Sequence, residues 1–406
     1  MTQHSASSLA FRTFKIFIAG ALLGAYPLLS GCVKDRGEPN VPTQALPIQS
    51  FERDWAVATQ QKNGTVDRLF LRDPYLFAYT DKGTVYIINR TDGSIVSIAD
   101  VPHGKDQLRS PVVLRDRIVF PTTVNFEVYD RTGNYIGPKT LSYSIRSNAV
   151  GSGSAVYVGA DFRNGGRVVK ADITRKFPDH VWELMFGRTS VSAAPALLGD
   201  TVYAAAEDGE VTAVDNETRN PLWPINDGIF RMHGAVVADL VVDDSGLYIA
   251  SEDETLVCLN RQTGKLKWQY TAGTPLDTSP IVTKDLVFQY VAGTGLAVID
   301  KRQGDFNRKP LWVASDVNQF LAEDEHYVYG RRADNAILAM DKKDGHAAFI
   351  SRRRDFAAFA PNIQNGIIYA VTKHGRVMAI KPVLTPGQVG EIVFAPVDPA
   401  SVASAK

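Results

Sequence analysis

Only two cysteines occur in 406 residues, Cys32 and Cys258, and their contexts differ so much that no disulfide framework follows. An excess of charge of either sign is missing too: 44 basic residues balance 44 acidic ones. No field over the whole surface favours nucleic acid, and none is expected as a partner. Histidine is sparse and scattered. None of His103, His180, His233, His326, His346 and His374 stands at a metal-ligand spacing with another histidine or a cysteine. A Gly-Xaa-Ser-Xaa-Gly elbow and a phosphate-cradling glycine loop are both absent, which removes the commonest hydrolase and nucleotide signatures. Beyond the first thirty positions no stretch carries a 3.6-residue apolar period, so helices are not expected.

What is present begins with a targeting segment. Arg12 and Lys15 flank an apolar run, Ile16 to Leu29, that is short for a membrane span and is broken by Pro27. It ends in Leu29-Ser30-Gly31-Cys32, which resembles the lipobox of bacterial lipoproteins and implies lipidation of Cys32. Val33 and Lys34 follow. Neither is the aspartate that favours retention in the inner membrane in such lipoproteins, so a cell outer membrane anchor facing the periplasm is expected. Residues 1–31 then read as a signal peptide and 32–50, with Pro39, Pro42 and Pro47, as a semi-rigid linker. Residues 51–383 read as the globular body and 384–406 as a disordered tail.

The body repeats. Asn89, Asp130, Asp172, Asp215, Asn260, Asp300, Asp341 and Lys381 follow one another at intervals of 40 to 45 residues, a period that marks stacked units. Each unit shows four strand signals with turn residues between them. In the fourth these are Ala194 to Leu198, Thr201 to Ala206, Glu210 to Val214 and a closing strand at Leu222-Trp223. Trp182, Trp223, Trp268 and Trp312 follow their anchors by eight to twelve residues, and Phe349 holds the same place in the seventh unit. The eighth has no room for a closing strand, whereas Trp55 stands alone near the start. The expectation is therefore all-β: an eight-bladed β-propeller of four-stranded antiparallel blades, closed by an N-terminal strand over Phe51 to Thr59. Anchor carboxylates would accept turn N–H groups, and each tryptophan would pack between blades while its N–H finds a carbonyl.

Eight such units, the Asp or Asn, Thr-Gly and Trp pattern, and the lipobox together resemble the quinoprotein-like (PQQ-like) repeat propellers, and among them the BamB family of outer-membrane lipoproteins. The resemblance implies a lipid-anchored scaffold without catalysis, cofactor or metal. It also implies a monomer within the β-barrel assembly machinery, whose partner is a BamA-like protein. In that family an arginine and aspartates on blade connectors bind the partner. The nearest matches are Arg188, ahead of Ser192-Ala193-Ala194-Pro195, and Asp277, in Leu276-Asp277-Thr278-Ser279-Pro280. Arg188 lacks the flanking leucines of the family, and Asp277 stands one blade out of step.

Antiparallel alternation puts the turns between second and third strands on the same face as the connectors between blades. Glu207, Asp208, Glu252, Asp253 and Glu254 would make that face acidic on one side. Arg331, Arg332, Arg352, Arg353 and Arg354 would make it basic on the other, and arginine is favoured at interfaces. The alternatives are a periplasmic PQQ-dependent dehydrogenase-like enzyme, or a lipoprotein that binds another protein or a glycan. Against the enzyme, those relatives carry adjacent cysteines and calcium ligands. Here the body's one cysteine, Cys258, stands where other blades place Ala213, Ala339 and Ala379, which suits a small core residue.

Overall fold

The computed structural model describes residues 48–49, 51–103, 108–163, 165–175, 180–351 and 353–382. Its strands form eight sheets around a ring, each built on antiparallel strands that follow one another along the chain, with N-terminal strands added to the last two. The innermost strands are Val66–Arg72, Val112–Val113, Ser144–Ser152, Ala196–Leu198, Val241–Asp243, Ile281–Val282, Val317–Glu323 and Phe356–Ala360. The first of these packs on the last, so the ring is closed around a central channel. Among the described residues there is no α-helix.

Closure works as the lone tryptophan suggests. Phe51–Ala58 runs antiparallel to Arg376–Pro382 as the outer strand of the eighth blade, with Trp55 opposite Ala379. The Thr59 N–H and hydroxyl both donate to the Gly375 carbonyl at 2.8 Å, extending the pairing by one residue. Phe51 packs against Tyr329 and Phe349 at ring distances of 6.5 and 6.3 Å, tying the closing strand to the seventh blade as well. Just before it, Ile48–Gln49 pairs in parallel with Ala347–Ser351. The seventh sheet therefore has five strands, an addition that the proline-rich composition of 33–50 does not announce.

The expected fourth closing strand needs correction. Leu222 does donate to the Ala213 carbonyl, and Pro221 bridges Val214. Pro224 has no N–H to continue the ladder. The chain loops out through a 3-10 turn at Asn226–Gly228, with positive φ at Asn226, Asp227 and Gly228. It resumes as Ile229–Arg231 against Glu210 to Thr212, and this is the blade's outer strand.

The core lies between blades rather than within one. Clusters mix the faces of neighbouring sheets, as where Tyr203, Val211 and Trp223 of the fourth meet Leu247, Val257 and Leu259 of the fifth. The tryptophans follow one rule. Trp55, Trp182, Trp223 and Trp312 donate their indole N–H to the carbonyls of Arg90, Asn216, Arg261 and Lys342. Each acceptor is the residue after an anchor in the next blade. There the anchor side chain holds the turn: Asp215 Oδ1 accepts from the N–H groups of Glu217 and Thr218 and from the Thr218 hydroxyl, which keeps its carboxyl below the usual range. The turn glycine makes room for the indole. A Cβ on Gly264, at φ +68°, would lie 2.5 Å from Trp223, and Gly93 and Gly345 meet Trp55 and Trp312 in the same way.

The fifth interface replaces this device. Trp268 lies under the Arg308 guanidinium, 5.3 Å from the ring centre, and Arg308 donates to the Asp300 carbonyl at 2.9 Å. Gln269 N–H donates to Phe306 O, and Arg308 N–H to Gln269 O. The long sixth turn thus clasps the outer strand of the fifth blade.

Candidate functional site

Two regions hold polar groups that the fold itself does not require. One is the face carrying the blade connectors. The other is the channel.

On the connector face the alternation of strands brings Arg188, Asp277, Arg331, Arg332 and Arg353 to one side of the ring. Cys32 and Arg352 lie outside the described residues. Arg188 is exposed in the connector from the third to the fourth blade, beside Asp161 and Arg163 at the rim of a polar cleft of about 510 Å³. Asp277 is exposed in the connector from the fifth to the sixth, and accepts only from its neighbour's hydroxyl, Thr278. Connectors two blades apart stand a quarter turn apart in a ring of eight, so Arg188 and Asp277 share one side.

The arginines of the seventh blade are already engaged. Arg331 donates twice to Asn335 Oδ1, lies over Phe359, and burial lowers its pKa. Arg332 pairs with Asp316 and Asp334, and Arg354 with Asp334. Arg353 holds Asp355 through two hydrogen bonds of 2.9 and 2.7 Å. The face is therefore less polarised than the count of arginines implies, because each described guanidinium has an acceptor a few residues away. The acidic side keeps more of its charge. Glu252 and Asp208 are exposed, whereas Asp253 accepts from His233 N–H and from Thr255.

The channel site was not legible in the sequence. Arg72, at the end of the first blade's inner strand, donates to Ser110 Oγ at 2.7 Å. Ser110 N–H donates to Asn148 Oδ1, and Asn148 Nδ2 to Asp239 Oδ2 at 2.7 Å. Asp239 also accepts from Ala194 N–H. Five blades thus contribute to one polar chain around the axis. Arg72 is open to channel solvent yet enclosed by protein, and burial lowers its basicity against the charges of Tyr79 and Asp239. Ser110, Asn148 and Asp239 stand at one equivalent place in their repeats, two residues before Val112, Val150 and Val241, but the side chain there changes from blade to blade, and Arg72 comes from the other end of its strand.

A family model described as "Outer membrane protein assembly factor BamB" matches residues 81–237 and 230–319, together more than half of the chain. The chain belongs to the BamB family. A BamB of Shewanella oneidensis is 23% identical over 285 residues, covering 65% of this chain and 69% of that protein. A BamB of Yersinia pestis is 21% identical over 217 residues, covering 48% of this chain and 54% of that one. The quinoprotein alcohol dehydrogenase PedH of Pseudomonas putida is 25% identical over 173 residues, 39% of this chain, but the match spans only 28% of the dehydrogenase. The crystal structure of BamB from Moraxella catarrhalis superposes with a TM-score of 0.61 at 18% identity, over 82% of this chain and 98% of that one. A designed protein, Ika8, superposes equally well, with a TM-score of 0.61 at 16% identity over 82% of this chain and all of its own. Structural likeness at this identity therefore shows the fold alone.

The quinoprotein match raises the question of a quinone with its metal. Cys258 is the only cysteine of the body, and it is buried against Gly246 and Leu259 with its thiol pushed up to about 12 by burial. Among the described residues no three His, Cys, Asp or Glu side chains come together as a metal site. The residues present do not match that ligand set.

Proposed function

We propose that this BamB-family chain is a non-catalytic, periplasm-facing scaffold that assists the assembly of outer-membrane β-barrel proteins through protein contacts. It is held at the outer membrane by lipid on Cys32 and works as a monomer within a larger complex. Its partner is the barrel-assembly machinery, and within it a BamA-like protein. The family match carries this reading. The connector face supports it with Arg188 and Asp277, which are exposed and have no ion-pair partner among the described residues.

Charge complementarity governs encounter and register at such faces. Arg188→Glu combined with Asp277→Lys should weaken capture of the assembly machinery from native membranes by about tenfold, with the melting temperature unchanged. Undiminished capture by the double variant would remove this pair from the docking site. Arg332 and Arg353, held by internal aspartates, are expected to contribute less, and their reversal serves as the comparison.

A further inference from the structure

We propose that the central channel binds an apolar carboxylate, with Arg72 as its cationic anchor. Three observations converge there: an arginine with spare donors, nearby acids that are already occupied, and a cavity with a mainly apolar wall.

The Arg72 guanidinium makes two hydrogen bonds, to Leu71 O at 2.9 Å and to Ser110 Oγ at 2.7 Å. Among the described residues no carboxylate lies within ion-pair distance of it. A guanidinium has five N–H donors, so three remain for a ligand, in the fork geometry that suits a carboxylate. The two acids in view are occupied. Asp73 is held by Arg90 and by Gln364 Nε2 at 2.8 Å, and Asp239 by Asn148 at 2.7 Å and Ala194 N–H at 2.9 Å. They do not pair with Arg72, and they disfavour a ligand of higher negative charge. A monoanion fits; a phosphate dianion does not.

Two cavities meet at Arg72, the first with a mainly apolar wall and the second with a mixed one. A cavity of about 380 Å³ lies between Leu71, Ile281 and Ile363. A second, of about 310 Å³, continues along Val112, Val113 and Val150. Arg72 lines both. Ile363 stands 49% exposed, on a loop that its own structure holds in place. Its neighbour Asn362 is buried, donates its N–H to Leu321 O at 2.8 Å, and uses its side chain on Asn365 and Ile367. An exposed isoleucine on so fixed a loop gains its cover from what enters the channel. These volumes sit at the small end of ligand sites, roughly 300–1,000 Å³. The ligand is thus a carboxylate on a short apolar body: a medium-chain fatty acid, or the C-terminal residue of a polypeptide.

The test is a titration of the full chain by calorimetry with four probes. These are octanoate, octanamide, a short peptide ending in leucine with a free carboxylate, and the same peptide amidated. At least one acid should bind about ten- to a hundredfold more tightly than its amide. Arg72→Gln should abolish that preference, Arg72→Lys should retain part of it, and Ile363→Asp, on an exposed side chain, should weaken the acid without lowering the melting temperature. Preference confined to octanoate assigns a small acid, and preference confined to the peptide assigns a polypeptide end. Equal binding of acid and amide, undiminished acid binding by Arg72→Gln, or no binding at millimolar concentration would overturn the proposal. Ligand binding is read by calorimetry with variants at Arg72 and Ile363, and docking by capture with variants at Arg188 and Asp277, so failure of one leaves the other standing.

Discussion

At the scale of single residues, three of the interfaces join an anchor, a turn glycine and the tryptophan of the preceding blade in one contact. Trp223 shows the energetics. It is buried at 3% exposure, stacks on Gly264 and donates to Arg261 O at 3.0 Å. Truncation would leave a cavity between two sheets and a carbonyl without its donor. Trp223→Ala should lower stability by about 3–5 kcal/mol, read as a shift of the denaturant midpoint with an unchanged slope. A shift of less than about 1 kcal/mol would show that the interface does not depend on the indole. The same residue marks where sequence reading stops. Its burial follows from the repeat, but its secondary structure does not: the prolines at 221 and 224 move the outer strand to Ile229–Arg231. Arg353 carries a related lesson. A run of arginines reads as a free basic patch until the Asp355 carboxylate is found across two hydrogen bonds.

At the scale of elements, the strand over Phe51–Ala58 decides whether the ring closes. It supplies the fourth strand of the eighth blade and buries Trp55 at the junction with the first. Arg90 reinforces this junction, bonding Asp73, Gln364 and Tyr369. Deleting residues up to 58 should leave the eighth blade with an open edge and remove the cooperative melting transition. Deleting only to 50, which removes the short parallel strand Ile48–Gln49, should lower the melting temperature by a few degrees, in keeping with a loss of about 1 kcal/mol. Equal stability of both truncations would show that the ring closes without its N-terminal strand. This closure is legible because a missing strand at one end and a spare tryptophan at the other are both sequence features. The parallel strand is not, since two residues give no periodicity.

At the scale of the molecule, the fold is readable because it is local repetition, and the site is less so because the side chains at equivalent channel positions change from blade to blade. Forty-residue spacing fixes the strands and the turns, and from them which loops share a face. The channel chain of Arg72, Ser110, Asn148 and Asp239 joins positions up to 167 residues apart along the chain, and only ring closure brings them together. The docking role likewise belongs to the whole assembly. Its most direct test is co-purification of the lipidated full chain from native membranes in mild detergent, with identification of what accompanies it. The account predicts recovery of the outer-membrane barrel-assembly core, with a BamA-like protein as its principal component. Recovery of the propeller alone from membranes in which that machinery is intact would contradict it.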